Sequence, residues 1–226
     1  ISILTVKDFA GETILVSAGP TQESIDPVRY ITNHSSGKMG YAIANVARRR
    51  GAAVILVSGP TSLPTPDNVT FISVSSAMEM KNAVIGHLAE SSIIIKAAAV
   101  ADYRPLHYSE SKIKKGAGHL TIEMEKNPDI LYQLGTIKGD KILVGFAMET
   151  EDLVKNATDK MIKKNTDLIV ANDLAVEGAG FCHDTNVVKI IDRQGKIDEL
   201  PLMNKEEVAG RILDRIKEIK IRGAAE

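Results

Sequence analysis

The chain has a single cysteine, Cys182, in 226 residues, so it forms no internal disulfide and no cysteine zinc cluster, and a cytosolic location is expected. Long apolar runs are also missing. None reaches the roughly 18 residues needed to span a bilayer. Charge of one sign is not in excess either: the net charge is −1 and the pI about 6.6. Nothing general therefore marks the chain for nucleic acid or an acidic membrane. Five scattered histidines show no metal-ligand spacing, and the adjacency of Cys182 and His183 does not make a nucleophile–base pair. An initiator methionine is lacking, and "ISILTVKDFAG" is no signal peptide. Residues 1–11 read as the end of a linker, with one domain over 12–226, as in a piece of a longer polypeptide.

What is present is an ordinary soluble composition, 44% hydrophobic and 25% charged. Short apolar runs recur: "ILVSAGPT" (14–21), "ILVSGPT" (55–61), "VTFISV" (69–74), "SIIIKAAA" (92–99), "ILVGFA" (142–147), "DLIVAN" (167–172) and "VVKII" (187–191). Such runs read as parallel strands buried on both faces. Between them lie helical patterns. Met39, Ala42, Ile43, Val46 and Ala47 share one helix face. Ser76 with Glu79, and Asn204 with Glu207, mark helix starts. The alternation predicts an α/β fold with a doubly wound, mostly parallel sheet and helices on both faces. Ligands in such sheets lie beyond the carboxyl ends of the strands.

Residues 103–126 break the rhythm. They carry "SKIKKGAGH" and the alternating "LTIEMEK" without a helical period, which predicts a functional loop, a protruding hairpin or disorder.

The stretch "TNHSSGKMGYAIA" (32–44) looks like a phosphate loop but fits neither standard pattern. A P-loop needs glycine at 32 and a hydroxyl at 39, where Thr32 and Met39 stand. The dinucleotide fingerprint needs glycine at 35, where Ser35 stands, although Gly37 and Gly40 match its second half. Ser35 or Ser36 is a candidate helix N-cap. Helix-start amides, Gly37, Gly40 and the planar fork of Arg29 make an anion site, against a purely structural loop as the alternative. In "KAAAVADYRP" the small residues let a flat ring approach the backbone, and Asp102 offers a hydrogen-bond acceptor or metal ligand; close packing with a solvated aspartate explains the same letters. "EKNPDIL" reads as a helix start with Asn127 as N-cap and Pro128 in the first turn. Lys160 and Lys164 share a helix face at i, i+4, the common state of which is solvated.

Taken in order, "GPTQESIDPVRYITNHSSGKMG", "AAAVADYRP", "KIKK", "KNPDIL", "VGFAMETE" and "DLIVANDL" resemble the phosphopantothenoylcysteine synthetase (phosphopantothenate–cysteine ligase) family from Glu12 to the C-terminal helix. The likeness is greatest to the bacterial form, usually the second half of a bifunctional coenzyme A biosynthesis protein whose first half is a flavin-dependent decarboxylase. It implies a Rossmann-like fold, 4′-phosphopantothenate, L-cysteine and CTP as substrates, an acyl-cytidylate intermediate, Mg²⁺, and a cytoplasmic homodimer.

The resemblance also assigns residues. Asn33 corresponds to the active-site asparagine, and Lys112 to a catalytic lysine on a mobile flap, 103–126, whose strand pairs across the dimer. Arg29, Ser35, Ser36 and Gly37 fall on the acyl-substrate side. Lys96, Ala97, Ala98, Asp102, Pro128, Asp129, Ile130, Leu131, Phe146, Lys160 and Lys164 fall on the nucleotide side. The metal is held by Asp102 or through the nucleotide phosphates. Gln22, Ser24 and Lys96 depart from the family's usual residues. Lys96, often small or apolar there, alters the pocket edge. Two other classes remain: an NAD(P)-dependent oxidoreductase of Rossmann type, and a non-catalytic ligand-binding module.

Overall fold

The apolar runs become strands because burial on both faces leaves their backbone groups no partner except a neighbouring strand. A computed structural model of the chain describes residues 6–116, 118–149, 152–173 and 183–223. In chain order the elements are β1 Thr13–Ala18, β2 Gln22–Ser24, β3 Tyr30–Thr32, α1 Lys38–Arg49, β4 Ala53–Ser58, β5 Thr70–Ser73, α2 Ala77–Gly86 and β6 Ile93–Lys96. There follow β7 Tyr103–Pro105, β8 Met124–Lys126, α3 Ile130–Ile137, β9 Ile142–Glu149, α4 Leu153–Lys164, β10 Leu168–Asp173, β11 Thr185–Asp192, β12 Ile197–Asn204 and α5 Lys205–Gly223.

The main sheet has eight strands in the order β12-β11-β10-β9-β6-β1-β4-β5. From β5 to β10 neighbours are parallel; β11 and β12 add an antiparallel edge. Alternate residues of one strand face opposite helix layers. Ile14 and Val16 of β1 pack with Ile43 of α1 and Ile212 of α5, while Leu15 packs with Met80 of α2 and Leu134 of α3. Further along the sheet Ile169 and Ala171 pack with Met161 of α4. Two helices therefore cover one face and three the other, the doubly wound arrangement expected. No helix among the described residues is long and apolar enough to cross a membrane.

Several local expectations change. Phe9 is 1% exposed in the core and Asp8 pairs with Arg50, so residues expected to be linker pack on the domain. The N-cap of α1 is Gly37, in the left-handed region at φ 78°, not Ser35 or Ser36, and α1 has no side-chain cap. The Gly37 N–H instead faces the Ser35 hydroxyl at 3.4 Å. At α3 the cap is Asp129, whose carboxylate accepts the Tyr132 N–H at 2.9 Å, not Asn127. Proline at 128 favours extended backbone at Asn127, whose side chain is taken by Arg104 and the Ala101 carbonyl. The other two starts hold: Ser76 caps α2, and Asn204 and Glu207 bond each other's backbone N–H at α5.

Strand β12 was not anticipated. It contains Pro201, admitted because β12 is a sheet edge and the register with β11 shifts there. Within 103–126 only the ends are regular: β7 and β8 pair antiparallel, and Arg104 bonds Glu125 across them at 2.9 Å. Between them the chain leaves as an arm, touching the loop between β2 and β3 where the Ser109 N–H donates to the Ile25 carbonyl at 3.0 Å. Cys182 lies outside the described residues.

Candidate active site

Counting only the parallel strands, the order runs 3-2-1-4-5-6, and its direction reverses between β1 and β6. A crevice opens at such a reversal because the crossovers leave toward opposite faces. Here the carboxyl ends of β1 and β6 are laced together: the Ala97 N–H donates to the Ser17 carbonyl at 3.1 Å, and the Ala99 N–H to the Gly19 carbonyl at 2.9 Å. Gly40 lets α1 lie against β1, since a Cβ there would stand 2.5 Å from that of Ala18. A Cβ on Gly37 would likewise stand 2.7 Å from the Thr61 methyl, so both glycines serve close packing within the protein. At the end of β4 a Cβ on Gly59 would stand 1.7 Å from the Pro20 carbonyl oxygen. That packing leaves no acidic side chain where a dinucleotide ribose needs one, so the oxidoreductase reading is not favoured.

Two clefts meet at this edge. The first, about 520 Å³, lies between Ala101–Tyr103 after β6 and the α3 start, Asn127–Leu131, with Lys160 and Lys164 on α4. The second, about 340 Å³, lies between the α1 start, Ser35–Gly40, and the small residues Ala97–Ala99. Lys96, Val100, Asp102, Phe146 and Lys160 border both.

Close helix packing delivers the α4 lysines. A Cβ on Gly135 of α3 would stand 1.9 Å from the Lys164 carbonyl, and the Asn165 amide donates to the Gly135 carbonyl at 2.6 Å. Lys164 consequently pairs with the Asp129 carboxylate and sits 5.5 Å from the Tyr132 ring centroid. Burial alone would raise the Asp129 carboxyl; Lys164 and the Tyr132 N–H outweigh it and hold it below the usual range. Lys96 goes the other way. Burial first, then repulsion from Lys160, pushes its ammonium down to about 8, against the attraction of Asp129 and Asp102.

The structure does not gather every expected residue. Ala97 and Ala98 line the second cleft; Pro128, Asp129, Ile130 and Leu131 line the first, although Ile130 and Leu131 are mostly core. Asn33 stands beside the second cleft, its amide donating to the Ala99 carbonyl at 2.6 Å and accepting the Ser35 N–H at 3.2 Å. Arg29 turns away. Its fork grips Asp26, and it also donates to the Ile113 carbonyl at 2.9 Å. Asp26, held far below the usual carboxylate range chiefly by Arg29, accepts the Ile113 N–H as well. Arg29 and Asp26 together anchor the arm at Ile113. Lys112, next to that anchor, is exposed and lines neither cleft. Lys38 pairs with Asp184 at 2.7 Å.

Sequence reading missed the far wall of the second cleft: Met148, Asn172, Asn186 and Lys205. The Asn186 side-chain amide donates to Asn172 Oδ1 at 3.0 Å, and its own buried Oδ1 has no hydrogen-bond partner among the described residues. Asn172, at the carboxyl end of β10, carried a legible signal; Asn186, on an antiparallel strand, carried none. Among the described residues no three His, Cys, Asp or Glu side chains group as a metal cage.

Comparison with known proteins agrees with this architecture. The chain is 48% identical over 222 residues to the Bacillus subtilis coenzyme A biosynthesis bifunctional protein CoaBC, covering 94% of the chain and 55% of that protein. The Vibrio parahaemolyticus protein of the same name is 48% identical over 216 residues, at 94% and 54% coverage. The chain thus spans about half the length of these curated relatives. A crystal structure of the C-terminal domain of a coenzyme A biosynthesis bifunctional protein CoaBC superposes with a TM-score of 0.83 at 45% identity, covering 96% of this chain and 99% of that one. The profile of the DNA/pantothenate metabolism flavoprotein C-terminal domain matches residues 9–219, nearly the whole chain, and the chain belongs to that family.

Proposed function

We propose that the chain is a phosphopantothenate–cysteine ligase of coenzyme A biosynthesis, joining 4′-phosphopantothenate to L-cysteine through an acyl-cytidylate. The observation that carries this reading is the meeting of two clefts across a wall holding two lysines, Lys96 and Lys160. A carboxylate becomes a useful electrophile only when its oxygen joins a good leaving group. The pantothenoyl carboxylate oxygen attacks the α-phosphorus of CTP, the bond to pyrophosphate breaks, and pyrophosphate leaves with the electron pair. The cysteine amine then adds to the acyl carbon, CMP departs, and the amine loses a proton. The first step, an anion attacking an anion, needs cations around the phosphates, and so does the charge on the departing CMP in the second; Lys160 and Lys164 on α4 supply them.

Asn33 is assigned to the second step, stabilising the oxygen that becomes negative as cysteine adds. Its tie to Ala99 supports this, because it holds the amide beside the second cleft. Lys112 is assigned to the triphosphate, reached when the arm swings about its anchor at Asp26 and Arg29. The first cleft takes the nucleotide, the base beside Phe146. Ser35, Ser36 and Gly37, with the α1 amides, take the phosphate of the acyl substrate.

Mg²⁺ fits as an ion held mainly by nucleotide phosphates, since Asp102 is an exposed carboxylate bordering both clefts while Asp129 is engaged by Lys164. When bound, it neutralises phosphate charge. The reading includes a cytoplasmic homodimer, with the β8 strand meeting its partner's, and fusion to an upstream flavin-dependent decarboxylase. No nucleic acid or membrane takes part.

The test is to incubate the protein with 4′-phosphopantothenate, CTP and Mg²⁺ without cysteine. Pyrophosphate release that stalls until cysteine arrives is expected, with ATP a poorer donor. Asn33→Asp should accumulate acyl-cytidylate. Release of pyrophosphate with neither nucleotide would refute the ligase.

A further inference from the structure

A bond joining a nucleotide in one cleft to a substrate in the other must form beside the residues that border both. Only two of the five are cations, Lys96 and Lys160. Lys96 is the last residue of β6, registered between Ser17 on β1 and Gly145 on β9. With no side chain at Gly145, nothing on that neighbouring strand crowds its stem. Its ammonium donates to the Ala98 carbonyl at 2.9 Å, which leaves two N–H groups to serve a ligand.

The surroundings are unfavourable for a cation. Lys160 and Lys164 on α4 repel it; Asp129 before α3 and Asp102 after β6 attract it, and Asp129 is already paired with Lys164. A half-buried cation set against two other lysines gains from an anion arriving in the concave site.

We propose that Lys96 is a ligand of the phosphate that bridges the two clefts, the phosphate esterified to the nucleoside and acylated in the reaction. This rests on the ligase reading and deepens it. As the carboxylate oxygen bonds to phosphorus and the bond to pyrophosphate breaks, charge builds on the non-bridging oxygens. Lys96 stays an ammonium throughout, taking and giving no proton.

The test compares the wild-type chain with Lys96→Met and Lys96→Arg. Pyrophosphate release is measured with CTP, Mg²⁺ and 4′-phosphopantothenate, CTP affinity by calorimetry, and folding by thermal melting. Lys96→Met should lower kcat by about 10- to 100-fold. KM for 4′-phosphopantothenate should change less. Lys96→Arg should recover most of the rate, and Lys96→Met should melt no lower than wild type, because it removes repulsion among lysines. Unchanged kcat in Lys96→Met beside an active wild type overturns the inference and leaves the ligase standing. A wild type that binds CTP but releases no pyrophosphate overturns the ligase reading. Calorimetry then decides Lys96 by itself, with equal CTP affinity in Lys96→Met counting against it.

Discussion

Two charged clusters in this molecule differ in one respect, and the difference separates stability from binding. At the far edge of the sheet Asp192, Asp198 and Glu218 meet Arg215, Arg222 and Lys196, three acids with three bases. Asp192 and the Arg215 side chain are almost fully buried. Burial pushes the Asp192 carboxyl up, but Arg222, the Lys196 and Gln194 N–H groups and Arg215 hold it below the usual range. In the clefts, Lys96 lies among Lys160 and Lys164 as well as Asp129 and Asp102, and Asp129 is already paired with Lys164. Charge balanced inside the fold secures the fold. Like charges brought together on a concave surface favour an arriving anion.

The largest effect should follow from breaking the balanced cluster. Asp192→Ala removes the fully buried partner of the Arg215 guanidinium and leaves it only the more exposed Asp198 and Glu218, so denaturant titration should show a loss of about 3 kcal/mol. Pyrophosphate release below the melting transition should barely change. An equal loss of activity would mean that the two clusters are not separable.

The second effect exposes the surplus. Because the Lys96 ammonium is held down to about 8, the cation is lost as pH rises past that value. The kcat/KM of pyrophosphate release should fall through pH 8 toward the Lys96→Met level, with Lys96→Arg flat. Stability should move oppositely. Between about pH 8 and the ordinary lysine value of 10.5, the unfolded chain binds more protons at this site, so the folded state gains as pH rises. Parallel pH series of rate and of denaturation midpoint check both signs.

The smallest effect is the control. Lys189 and Glu199 pair at 2.5 Å across β11 and β12, the strands that bear Asp192 and Asp198, but in solvent. Lys189→Ala should cost less than about 1 kcal/mol. A cost near that of Asp192→Ala would show that burial is not what distinguishes the pairs.

Much of this was legible in advance. The buried runs, the α2 and α5 starts and the break at 103–126 all rest on local pattern. The Asn127 expectation failed because asparagine and aspartate cap equally well by type. Choosing between them required knowing that Arg104 and Ala101 already occupy Asn127. Arg29 shows the same limit: a guanidinium suits an anion anywhere, and only the fold shows that it grips Asp26.

The sequence alone determined the buried parallel strands, the doubly wound class and the family, because hydrophobic period and motif order are properties of neighbours along the chain, while the edge strand β12 emerged only in the fold. Only the tertiary structure decided which charges are answered and which are left facing the clefts. Lys164 meets Asp129 from 35 positions away, and Asn186 meets Asn172 across an antiparallel ladder. Such pairings are set by how helices and strands pack, and electrostatic energy depends on those distances and on burial rather than on residue type.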